Sequence, residues 1–318
     1  MGDSLGGYHR WPVSVERLLP SLHRRTLYRK TAGLSPKRRL ASRGGGDILS
    51  GPMAGAPQRV VGPLRDRLGA VRYSNLEYRL LTLSGQAIGD FSLIEPGDRL
   101  LVAVSGGPAS VALCALLEHH RRRFDYRFEL LPLHLEEGRR PHGLEELLES
   151  WGMKLQFVQL PGGAKTRGAP ATAACRLRLR ALWREAKNLG CNKIADGRLL
   201  DDFLEQLFLN LQDRGKLAAL AVKKAGSGGI TLVRPLVYVE RRQVVTYCQQ
   251  LGWAQGGHPG QVGDQALERV RRQLGEFSRD QPRIKVSLLA ALRNVRVSHL
   301  LDLRFYGKDQ PSRRRDGK

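Results

Sequence analysis

From Arg99 onward the sequence alternates short apolar runs with longer amphipathic segments, and this alternation restricts the fold more than any other feature. Arg99–Val104 (RLLVAV), Phe128–Leu135, Leu155–Leu160 and a short Lys193–Ala195 read as strands. Between and after them, Val111–Arg123, Gly143–Trp151, Ala173–Asn188 and Asp202–Leu211 read as helices. Strand and helix taking turns in this way predict an α/β fold, a doubly wound parallel sheet with flanking helices. Leu76, Leu80, Leu81, Leu83 and Ile88 suggest a helix leading into it. After about residue 225 the pattern weakens: Ser227-Gly228-Gly229 reads as a loop, Glu240–Leu251 as a helix, and 264–275 and 285–294 as a helical C-terminal extension.

Two helices can be checked by spacing. Leu179, Leu182, Trp183 and Ala186 fall at i, i+3, i+4 and i+7, which predicts a core face. Arg176, Arg180, Arg184 and Lys187 form a cationic stripe beside it, with Arg178 on the same helix. Leu204, Leu207, Phe208 and Leu211 repeat the core spacing, and Asp202 with Glu205 has the offset of an N-terminal cap.

The strand ending at Val104 runs through Ser105-Gly106-Gly107-Pro108-Ala109-Ser110 into a helix. Such a junction lies at the carboxyl edge of a parallel sheet, where loop amides and the positive end of a helix dipole suit a phosphate. It is neither a Walker loop, which needs Gly-Lys-Ser/Thr, nor a dinucleotide fingerprint with three spaced glycines.

Charge points to the class of partner. The chain has 318 residues and a formal net charge of +23. Residues 1–70 carry 13 Lys and Arg against 4 Asp and Glu, which leaves +14 on the rest. An excess of this size over the folded part is the footprint of a polyanion partner such as RNA. Residues 1–70 show little apolar periodicity and read as a disordered basic extension. Three explanations stand for it: an RNA-contacting arm, an organellar transit peptide, or a start assigned before Met53. No apolar run of membrane-spanning length occurs, and four scattered cysteines do not form a disulfide framework. A cytoplasmic protein without a membrane partner is expected, with organellar import if the extension is real.

With these residues in view, the chain is identified as resembling the PP-loop (N-type) ATP pyrophosphatases, whose loop is Ser-Gly-Gly-x-Asp-Ser, and in particular the tRNA 2-thiocytidine synthetase family. The resemblance covers about Asn75 to Phe305. It rests on the lead-in ending IEPGDRLLVAVSGG, the Arg-rich helix containing Cys175, and Lys193-Ile194-Ala195-x-Gly197 followed by Asp201-Asp202. Leu207-Phe208-Leu209-Asn210, Gly215-Lys216-Leu217, Val233-Arg234-Pro235-Leu236 and Asn294-Val295-x-x-Ser298-His299-Leu300 continue it in order. The resemblance implies an adenine nucleotide alpha-hydrolase-like fold. It also implies ATP phosphates at Ser105, Gly106, Gly107 and Ser110, with Asp201 and Asp202 nearby and Mg²⁺ as companion ion. A target cytidine would be adenylated at its carbonyl oxygen, and tRNA or another structured RNA would lie on Arg176, Arg178, Arg180, Arg184 and Lys187.

The departures from that pattern fall on chemistry. Ala109 stands where the family's loop carries Asp, and Pro108 removes one loop N–H. The family's first Cys-x-x-Cys is Thr172-Ala173-Ala174-Cys175, and the second would fall in 255–261, QGGHPGQ, which has no cysteine. These gaps speak against an iron–sulfur cluster and leave no metal site. His258 reads as an exposed loop histidine, with a lone replacement ligand as the alternative. Asp201 and Asp202 read either as metal or ribose contacts or as a helix start. Cys175 is a weak catalytic candidate: Arg neighbours and a helix start favour a reactive thiol, and inert packing is the competing reading. The domains expected are the extension 1–70, a PP-loop α/β domain 71–252, a helical segment 253–306 and a basic tail 307–318. The expectation is a divergent member, a pseudoenzyme that binds tRNA with room for ATP but lacks cluster-dependent thiolation. It would act as a homodimer or with a catalytic relative. The alternative is an active ATP-dependent tRNA-modifying enzyme.

Overall fold

The computed structural model describes residues 74–137, 140–160, 171–253 and 265–301. The chain divides into two units, Met1–Ala56 and Pro57–Lys318, and every described residue lies in the second. The basic extension, residues 254–264 with His258, and the tail 307–318 lie outside the described residues.

Helix α1 (Asn75–Asp90) starts where Ser74 accepts a hydrogen bond from Glu77 N–H at 3.1 Å. Strand β1 (Arg99–Ala103) is buried through its middle and leads into α2 (Pro108–Arg123), which has proline at its first position. A missing N–H costs least there, because the first amides of a helix have no helical partner. Next come β2 (Glu129–Glu136), α3 (Leu144–Ser150), β3 (Gln156–Gln159), α4 (Ala171–Asn188), β4 (Lys193–Ala195) and α5 (Leu200–Arg214). The chain continues through β5 (Lys223–Ala225), β6 (Thr231–Val233), α6 (Arg241–Gln250), α7 (Gln265–Asp280) and α8 (Ile284–Arg293).

The six strands pair in the order β3-β2-β1-β4-β6-β5, all parallel except the edge strand β5. Alternate side chains of β1 enter opposite faces. Leu100 and Val102 join the cluster built with α1, α2, α3 and α6, while Leu101 joins Ala186 of α4, Ile194 and Leu232 on the other side. A strand covered on both faces has no polar alternation, and for that reason RLLVAV reads as a continuous apolar run. The helical extension α7 and α8 packs on α5 through Leu204, Leu207, Val270 and Leu274.

Some local readings change. Leu211, in the core register of α5, is 45% exposed. Asp202 is not the cap: it lies one turn in, where its carboxylate accepts the Leu199 N–H at 2.7 Å. The loop at 227–229 connects two three-residue strands that carry no readable period. Beside it, Gly226 is required by packing, since a Cβ there would lie 2.2 Å from the Trp183 ring.

Candidate nucleotide and RNA site

The chain goes from β1 outward through β2 to β3, then returns to place β4 on the other side of β1. The loops leaving β1 and β4 therefore diverge at their carboxyl ends, which is where open α/β sheets form a ligand crevice. Val104 extends the ladder, its N–H bonded to Leu133 O at 2.9 Å and its carbonyl 2.8 Å from His134 Nδ1. Gly106 then turns with φ +83°, and a Cβ at that position would lie 2.6 Å from Pro141 Cγ. Only glycine satisfies both conditions.

Ser110 Oγ organises the loop. It donates to Gly107 O at 2.8 Å, accepts the Ser105 N–H at 3.2 Å and lies 3.3 Å from Ser105 Oγ. The Gly107 N–H makes only a long 3.4 Å contact to Ser105 Oγ. Among the described residues, the amides of Gly106 and Ala109 have no partner, and no side chain caps α2. The start of α2 thus offers unused donors together with the dipole's positive end. Across the crevice, a Cβ on Gly197 would lie 3.0 Å from Ala109 O, so the β4–α5 loop passes directly against this helix start.

Charged groups line that second loop. Asp196 pairs with Arg234 at 3.1 Å. Arg198 lies 3.8 Å from Asp196 and 3.9 Å from Asp202; burial acts to lower its pKa, but these carboxylates outweigh burial and raise it. Cys175, half-buried on α4, lies within electrostatic range of Arg198 and of Arg178, whose guanidinium is bonded to Glu137.

Of the residues read from sequence as nucleotide contacts, Ser105, Gly106, Gly107 and Ser110 come together in one loop. The two aspartates of α5 are engaged elsewhere. Asp201 accepts Lys285 Nζ at 2.7 Å and the Arg241 N–H at 2.6 Å, in a cleft of about 250 Å³ shared with Glu205 and Arg271. Burial raises its pKa, and these two donors overcome burial to hold it below the ordinary carboxylate value. Asp202 also accepts Arg241 Nη2 at 3.1 Å. On α4, Arg176, Arg180, Arg184 and Lys187 are exposed, while Arg178 is tied to Glu137. Sequence reasoning missed Trp253, whose indole N–H donates to Gly106 O at 3.1 Å. A tryptophan just past a helix carries no local sign of such a contact.

A PP-loop domain family model matches residues 73–256. The chain is 38% identical to the tRNA-cytidine(32) 2-sulfurtransferase of Syntrophotalea carbinolica over 237 residues, covering 70% of this chain and 92% of that protein. It is 35% identical over 243 residues to the enzyme of the same name from Geobacter sulfurreducens, covering 72% and 95%. Among solved structures it resembles the U34-tRNA thiolase NcsA from Methanococcus maripaludis with its [4Fe-4S] cluster, at TM-score 0.57 and 17% identity, covering 70% of this chain and 80% of that one.

This last finding corrects the expectation that an iron–sulfur cluster is out of place here, because the matching fold is that of a thiolase solved with one. The expectation relied on counting cysteines in one chain, and such a count does not define what a fold holds. In this chain Cys114, Cys191 and Cys248 are buried and Cys175 is half-buried on α4. No group of three or more His, Cys, Asp and Glu suited to a metal occurs among the described residues. The described side chains therefore supply one candidate cluster ligand, and no chemical step is derived through a cluster.

Proposed function

The chain belongs to the PP-loop tRNA thiolase family, and from that membership we propose that it holds ATP by its phosphates on the β1–α2 loop and acts on a tRNA. The observation that carries this reading is the pair of unpartnered amides, Gly106 and Ala109, at the uncapped start of α2. An anion completes such a helix end without any added cation. The chemistry follows from what ATP offers a base: the carbonyl oxygen attacks the α-phosphorus, the bond to pyrophosphate breaks, and AMP becomes a leaving group. Unmodified, that oxygen leaves poorly.

The RNA lies on the exposed guanidinium face of α4, where Lys and Arg contacts to phosphates supply affinity without reading sequence. Arg176, Arg180, Arg184 and Lys187 form this exposed face, with Arg184 also paired to Glu185 at 2.8 Å, and Arg178 is bonded to Glu137. A second reading, a chain that binds nucleotide and RNA without turnover, is favoured by Ala109 and by the prior engagement of Asp201 and Asp202. The two separate on one measurement: release of pyrophosphate from ATP when the purified chain meets tRNA. Release that requires tRNA supports adenylation. Saturable ATP binding with no release supports the second reading, and absence of ATP binding defeats both.

A further inference from the structure

The geometry points to Trp253 as a positioning residue for the phosphate loop, fixing the Gly106–Gly107 peptide so that the Gly107 N–H is presented to the ligand. The inference rests on the reading that this loop binds phosphates. Trp253 is 5% exposed and packs in the same core cluster as α1, α2 and α6. Its Nε1–H donates to Gly106 O at 3.1 Å. In a trans peptide the carbonyl of one residue and the N–H of the next point in opposite directions. Drawing the Gly106 carbonyl into the core therefore turns the Gly107 N–H away from it.

The position needs such a brace. Gly106 at φ +83° belongs to a residue type with the widest choice of backbone states, and the following Gly107 adds no side chain to restrict it. Within the loop, the only bond on the Gly107 N–H is the 3.4 Å contact to Ser105 Oγ. Ser110 Oγ holds the Gly107 carbonyl, which belongs to the next peptide along. Of the two hydrogen bonds on the peptide between the two glycines, the indole's is therefore the shorter. The turn into α3 closes over the ring, with Gly143 at φ +75° and its Cβ position 3.8 Å from Trp253 Cζ3. A second donor reaches the loop from the same side, the Cys248 thiol, 3.2 Å from Pro108 O. The exit of α6 thus supports the loop from behind, on the side opposite the ligand.

The test uses the full chain and the substitution Trp253→Phe, which keeps a buried ring and removes the N–H. The probes are ATP and inorganic pyrophosphate in calorimetric titrations, with tRNA binding and the circular dichroism spectrum as controls. Trp253→Phe should weaken both phosphate probes about tenfold, the size of one lost hydrogen bond to a buried carbonyl. Binding of tRNA by α4 should be unchanged, which a general loss of folding would not allow. A readout on the unaltered chain keeps the inference testable if that variant fails to fold: the Trp253 Nε1–H proton resonance should shift on adding pyrophosphate. Equal binding by both chains, or a fixed indole resonance while pyrophosphate binds, would overturn the inference and leave the functional reading standing. Failure of the unaltered chain to bind either probe would overturn both.

Discussion

His120 lies 6% exposed on α2, with Nε2 2.9 Å from Ser84 Oγ and Gly85 so close that a Cβ there would come within 3.2 Å of the ring. Burial, helped by His119 and Arg123, lowers its pKa from 6.5 to about 4. The unfolded chain therefore binds this proton first as the pH falls. The stability tied to neutral His120 is complete above about pH 6.5 and declines toward pH 4, by about 3 kcal/mol in all. Urea unfolding at both ends of that range should show a steeper loss in the native chain than in His120→Gln; parallel losses would contradict this. The cysteines differ on similar grounds. Burial pushes the thiols of Cys114 and Cys248 up to about 12 and raises Cys191 as well, so these three remain protonated and enclosed. Iodoacetamide should modify the folded chain at Cys175 and reach the others only after denaturation, as mass spectrometry of digested protein would reveal.

Among the elements, α4 joins the fold to the proposed RNA face most directly. One face, through Ala186 and the partly buried Leu179, Leu182 and Trp183, seals the sheet, and the adjoining face leaves Arg176, Arg180, Arg184 and Lys187 in solvent. Each guanidinium that neutralises a phosphate displaces about one condensed counterion, so removing it should reduce the slope of log affinity against log salt by about one. Arg176, Arg180 and Arg184→Ala together should flatten tRNA filter binding by roughly three in that slope; an unchanged slope would place the RNA elsewhere. This face was legible in the sequence because charge and apolar residues each repeat at helical spacing. The strand–helix alternation and the Gly106 turn were legible for the same reason, that a local period or a local backbone demand marks them. Strands β5 and β6 were not, since three residues show no period and Lys223-Lys224-Ala225 is wholly exposed. Nor were Trp253 against Gly106 or Lys285 against Asp201, because contacts between residues 147 and 84 positions apart follow from topology alone.

At the scale of the whole chain, the helical extension is tied to the sheet domain close to the candidate site. No residue of α8 is fully buried; its Leu288, Leu289 and Leu292 lie partly buried against the α5 cluster, and an ion pair ties it down at each end. At one end Lys285 pairs with Asp201 in the first turn of α5. At the other, Arg293 pairs with Asp90 at 3.2 Å and lies over the Tyr238 ring at 5.3 Å. Among the described residues no helix is long and apolar enough to cross a membrane, so these exposed helical faces are not spanning segments. The Lys285–Asp201 pair is the more consequential of the two, because Asp201 is mostly buried and its carboxylate depends on this ammonium and the Arg241 N–H for compensation. Lys285→Met keeps the apolar stem and leaves that carboxylate with one donor, which should cost about 2 kcal/mol near neutral pH. Because the folded pKa of Asp201 lies below the ordinary 3.8, the pair's contribution is complete above that value and disappears as the pH falls through the folded one. The gap between the native chain and Lys285→Met in urea unfolding should therefore close in acid. A gap of the same size at about pH 7 and about pH 3 would mean that Lys285 does not act through the Asp201 carboxylate, leaving its packing and its 3.8 Å contact to Glu240 as the source.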